Sequence, residues 1–159
     1  MENRECVCSR APALVFSCSG GADVGAISDL AARRVTELDV EKRFCLAGIG
    51  GRVSGILRST EAADQIFAID GCLLECTRRT LQEASFTDFV HLRLADLGLI
   101  KGESPPSPDS IGLVVRAAQR VLGVASITTR SVDDQQRSRR SRTPSAGVSR
   151  RSSFCCGDQ

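Results

Sequence analysis

The segment Ile66-Phe67-Ala68-Ile69-Asp70-Gly71-Cys72-Leu73-Leu74-Glu75-Cys76 constrains the fold more than any other stretch of the chain. Four apolar residues in succession, without polar alternation, describe a strand covered on both faces. That is the pattern of parallel sheets flanked by helices. Asp70-Gly71 is a strong turn dipeptide, and the residues from Cys72 to about Ala84 suit a helix. Positions i and i+4 share a helix face, so Cys72 and Cys76 are expected side by side on its first turn.

The same strand and helix alternation recurs along the chain. Ala13-Leu14-Val15-Phe16-Ser17-Cys18 is a second unbroken apolar run, ended by Ser19-Gly20-Gly21. Val24, Ile27, Ala31, Val35 and Leu38 then return at helical spacing between Ala22 and Leu38, opposite Arg33, Arg34 and Glu37. Arg43 to Ala47 reads as the next strand, closed by Gly48-Ile49-Gly50-Gly51, with a short helix expected around Thr60 to Gln65. Phe89 to Leu94 alternates, placing Phe89, His91 and Arg93 on one side, as an edge strand does. Pro105, Pro106 and Pro108 mark a loop, and Asp109 to about Leu122 a final helix.

These elements predict an α/β fold, a single three-layer domain with a four-stranded parallel sheet and helices on both faces. The two apolar strands belong at the centre, which gives the order 2-1-3-4 with right-handed crossovers. Ligands of such sheets bind at the carboxyl ends of the strands, near the switch point between strands one and three. Cys18 and Cys72 fall there.

Composition sets the boundaries. A flexible arm is expected over residues 1–12, the cysteine-bearing α/β domain over 13–125, and a disordered Arg/Ser-rich tail over 126–159. Residues 1–125 carry 14 Lys and Arg against 16 Asp and Glu, so the folded part has no positive field to draw specific nucleic acid. The tail carries seven Arg against three Asp but too few apolar residues to offset the entropy of ordering. No run of apolar residues is long enough to span a bilayer, so no membrane partner is expected. The first residues lack the apolar core of a secretory signal, which points to a cytoplasmic protein. Eight cysteines in such a compartment suit metal ligation or redox chemistry better than disulfides.

Four thiols are the candidate site. Cys18 ends a central strand and Cys72 and Cys76 follow the third. Cys45 lies within the second strand, where a core thiol and a ligand are equally compatible with the pattern, and Cys6 or Cys8 could substitute for it. Soft sulfur donors favour zinc or another thiophilic metal ion. Asp70 could support the site from a second layer or serve only the turn. Gly20, Gly50, Gly51 and Arg52 could form a weak anion cradle. Dinucleotide binding is disfavoured, because the glycines do not make a G-x-G-x-x-G fingerprint. Cys72 to Arg78 has the C-x5-R spacing of cysteine phosphatases but no glycine to form the phosphate loop. His91 is expected at the surface. The competing reading is a thiol-redox enzyme, with Cys72 attacking a disulfide, persulfide or metalloid and Cys76 resolving it.

Leu14-Val15-Phe16-Ser17-Cys18-Ser19-Gly20, Phe44 to Gly51 and Ile69-Asp70-Gly71-Cys72 together resemble the DGC-domain family, named for its Asp-Gly-Cys motif. The resemblance runs from about Ala13 to about Leu122 and takes in His91 to Gly98. It implies a zinc-binding protein with Cys18, Cys45, Cys72 and Cys76 as the ligand set.

Overall fold

The computed structural model describes residues 12–123. The tail, and all of the arm except Pro12, therefore lie outside the described residues. The chain runs through β1 (Ala13–Ser17), α1 (Asp23–Glu37), β2 (Lys42–Arg43), α2 (Leu46–Gly50), α3 (Ser54–Glu61) and β3 (Gln65–Asp70). It continues through α4 (Cys76–Glu83), β4 (Val90–Arg93), a 3-10 turn over Leu94–Leu97, and α5 (Pro108–Val121). All three strand pairings are parallel and the order is β2-β1-β3-β4, as the apolar runs of β1 and β3 require.

Strand alternation divides the core into two layers. Val15, Phe67, Ile69 and Leu92 pack with Val24, Ile27, Ala31 and Val35 of α1 and with Val114 and Ala118 of α5. Leu14, Phe16, Ile66 and Ala68 face the other way, onto Ile49 of α2 and Leu81 of α4. Right-handed crossovers explain the division. β2 lies on one side of β1 and β4 on the other side of β3, so α1 and α4 must take opposite faces. α5 starts sharply because Pro108 follows a capping box. The Ser107 side chain accepts from the Ser110 N–H at 3.1 Å, and Ser110 Oγ accepts from the Ser107 N–H at 2.9 Å.

Three elements differ from expectation. The second strand is only Lys42–Arg43, although the Phe44 N–H still donates to the Val15 carbonyl at 2.9 Å. The chain then turns into α2, because Leu46 and Ile49, three residues apart, can both reach the Phe16 layer from a helix. The helix expected at Thr60 to Gln65 is α3, starting six residues earlier at Ser54. Gly48, Gly50, Gly51 and Gly55 depress local helix propensity and hide both helices from periodicity. The third is the start of α4, at Cys76 rather than Cys72.

Candidate functional site

The carboxyl end of β1 is tied to that of β3. The Cys18 N–H donates to the Ile69 carbonyl at 3.0 Å, and the Gly71 N–H donates to Cys18 Sγ at 3.0 Å. Cys18 therefore sits just past its strand with its sulfur already held. Burial pushes its thiol up from the ordinary value, against the downward pull of the Gly71 N–H.

Gly71 is required for close approach rather than for a turn, and it does not adopt positive φ. A Cβ there would stand 2.7 Å from the backbone C and O of Val24, in the first turn of α1. Backbone cannot rotate aside as a side chain can. Gly71→Ala is therefore expected to lower stability by about 2 kcal/mol, the range of core overpacking. Thermal unfolding measures this, and an unchanged midpoint would show that α1 can shift away.

Asp70 has the role of a cap. It is 1% exposed. Its Oδ1 accepts from the Thr77 N–H at 2.7 Å and its Oδ2 from the Arg78 N–H at 3.0 Å. These are donors near the start of α4 with no partner inside the helix. His91, expected at the surface, is instead half-buried, with Nε2 2.9 Å from Asp70 Oδ2. The pair joins β4 to the end of β3. Thr77 Oγ1 adds a bond to the Ile69 carbonyl at 3.1 Å. Asp70 thus holds the first turn of α4, and Cys76 with it, against β3.

Cys72 and Cys76 do not share a helix face. Cys72 to Glu75 form a turn closed by the Glu75 N–H donating to the Cys72 carbonyl at 3.1 Å. Glu75 is left-handed at φ 51°, a conformation that disfavours an L residue. Its carboxylate is fastened to Arg78 at 2.6 Å and to Arg93 at 3.0 Å, and Arg93 also pairs with Asp96. Desolvation raises the Glu75 carboxyl, but the two arginine hydrogen bonds outweigh it and hold the group below its usual range. Leu73 and Leu74, within this turn, are 71% and 60% exposed.

The outcome is one cavity of about 270 Å³ whose wall includes Cys18, Cys72 and Cys76 with Gly20, Leu74 and Lys101. Leu46 also contributes to the wall, but its neighbour Cys45 does not. Cys45 is exposed at the start of α2, past the end of β2, so it is not the strand-interior thiol the sequence suggested. The four cysteines among the described residues are free thiols. No group of three or more His, Cys, Asp or Glu side chains among the described residues is arranged to hold a metal ion. The cavity wall thus supplies three soft donors without drawing them to one point.

The glycine cradle is not formed as expected. Gly50 and Gly51 end α2, where carbonyls rather than N–H groups are free, and Arg52 Nη2 donates to the Glu83 carbonyl at 2.9 Å. Of these four cradle residues, only Gly20 reaches the thiol cavity. Two contributors were missed in the sequence. Lys101 reaches the cavity from the loop after the 3-10 turn. Asp23 holds that loop, accepting from the Gly102 N–H at 2.9 Å and the Ser104 N–H at 3.0 Å. Bonding to Gly102 is the main cause that holds the Asp23 carboxyl below its ordinary value. An Asp at the first position of a helix after a glycine turn was the available signal.

Comparison with known proteins identifies the family. The DGC domain family matches residues 14–118. The anaerobic and virulence modulator AnvM of Pseudomonas aeruginosa is 33% identical over 104 residues, which cover 64% of this chain and 79% of that protein. No solved structure matches the chain. The family match takes in all of the sheet except Ala13, the Asp70-Gly71-Cys72 motif and all three thiols of the cavity, and the chain belongs to the DGC-domain family.

Proposed function

We propose that this chain binds zinc or another thiophilic metal ion through Cys18, Cys72 and Cys76, with Cys45 as the fourth thiolate. The observation that carries the reading is the shared cavity, which gathers thiols from just past β1, from the turn after β3 and from the start of α4, although Cys18 and Cys72 stand 54 positions apart in the chain. Sulfur-only donor sets suit zinc and softer ions, and such an ion held by these thiolates would link the end of β1 to α4. Lys101 on the same wall offsets part of the negative charge of several thiolates. Leu73 and Leu74 in the Cys72 to Glu75 turn are mostly exposed, so a small movement of that turn would cost them little packing.

A thiol-exchange role is less well supported. It relied on Cys72 standing at a helix N-terminus, which favours thiolate, and Cys72 lies before that helix.

The test is metal content and free-thiol count on anaerobically purified protein. Wild type is expected to carry about one zinc per chain. Cys72→Ser and Cys76→Ser should each lose most of the metal and stability together, because metal binding is coupled to folding. Cys45→Ser distinguishes a closed four-thiolate site, which would also lose the metal, from a three-thiolate site with an open position. A folded, metal-free wild type with all described thiols titratable would reject the reading. A mixed disulfide trapped at Cys72 in Cys76→Ser, with the fold intact, would establish exchange instead.

A further inference from the structure

At the end of the sheet opposite the thiols lies a larger cavity of about 890 Å³. Its wall includes Ala13, Gln65 and Val90, which open β1, β3 and β4, and Glu41, which precedes β2. Glu61, Asp64 and Asp88 add three more carboxylates, and among the described residues no Lys, Arg or His lines the space. Those three acids are exposed, whereas Glu41 is only 6% exposed. Its Oε2 is buried without a hydrogen-bond partner among the described residues. A buried polar atom without a partner is an exception in folded proteins and asks for an explanation, such as a missing ligand.

The rest of the wall says which ligand. Phe86 and Phe89, both half-buried, supply aromatic surface beside aliphatic Val40 and Leu122. No three acidic groups among the described residues are arranged around one ion. Negative charges spread around a partly apolar space do not suit a compact divalent metal. They suit a cation with separated charges and a hydrocarbon body, and the volume lies in the range of small-molecule pockets.

We propose that this cavity binds a linear polyamine, with one ammonium group against Glu41, the others against the outer carboxylates, and the methylene chain along Phe86 and Phe89. Aromatic faces attract ammonium groups as well as packing on their carbon chains. Burial raises the Glu41 carboxyl to about 7, and a cation beside it favours the ionised form. Uptake should therefore strengthen between pH 6 and pH 8.

Calorimetric titration of spermidine into the full chain at low ionic strength tests this. Wild type should show saturable one-site uptake at pH 8, about tenfold weaker at pH 6, and about tenfold weaker at pH 8 in Glu41→Gln, the loss of one charged hydrogen bond. Asp88→Asn, at an exposed position that leaves the fold alone, should weaken uptake a few-fold, as expected of an exposed ion pair. Magnesium chloride at matched ionic strength should neither bind saturably nor displace spermidine. Absence of saturable uptake by wild type overturns the proposal. So does equal affinity in both variants, or displacement by magnesium at comparable concentration.

Discussion

Asp70→Ala is expected to destabilise the protein by about 4 kcal/mol. The buried N–H of Thr77 and the part-buried N–H of Arg78 lose their acceptor, and such a loss costs about 1–3 kcal/mol where the donor is buried. Removing a helix cap typically costs about 1 kcal/mol, a description that overlaps with the first, so the two do not simply add. His91 Nε2 loses its partner at 2.9 Å as well. Asn at this position keeps one acceptor and should recover about half of the loss. Urea unfolding measures both variants, with an unchanged slope showing that the folded state remains compact. The local consequence matters for the thiols. Once its first turn is no longer anchored, α4 frays, and Cys76 at its first position leaves the cavity wall, so metal uptake should fall with stability. An Asp70→Ala protein within 1 kcal/mol of wild type would show that α4 is held by packing alone.

The second large effect concerns pH at the opposite end of the sheet. Glu41 is buried, and desolvation raises its carboxyl from 4.5 to about 7 in the folded protein. A raised acid is stabilising while protonated. Its contribution is fully present below about 4.5 and is lost as pH rises through about 7. At 1.36 kcal/mol per unit the loss approaches roughly 3 kcal/mol. Glu41→Gln has no charge to bury, so it should match wild type near pH 4 and exceed it by up to roughly 3 kcal/mol at pH 8. The buried amide lowers that ceiling somewhat, since it too needs a partner. Unfolding midpoints measured from pH 4 to pH 8 decide the matter. Parallel curves for the two proteins would mean that Glu41 has a partner in solution.

Cys72 and Cys76 show where reading along the chain fails. The helical spacing is real, but α4 cannot begin at Cys72. Gly71 must press on the backbone of α1, and Asp70 reaches over the turn to bond Thr77 and Arg78. Those are contacts between elements far apart in sequence, and no local periodicity contains them. The placement of Cys45 inside a strand failed for a related reason. The run Phe44 to Ala47 is apolar enough for a strand, and only the position of the Phe16 layer makes a helix the better way to bury Leu46 and Ile49.

Alternation and apolar runs, being properties of adjacent residues, were enough to place the sheet, its order and both long helices α1 and α5. The resemblance carried by the three sequence blocks was confirmed by the family match over residues 14–118. Tertiary packing alone assigned Asp70 to capping, brought Lys101 to the thiols through Asp23, and left Cys45 off the cavity wall. It also buried Glu41 in the wall of a cavity that no motif marks. The physical reason is common to all four. Which face of a sheet a residue meets follows from its own neighbours in sequence, whereas the partner of a polar group depends on where a distant backbone passes.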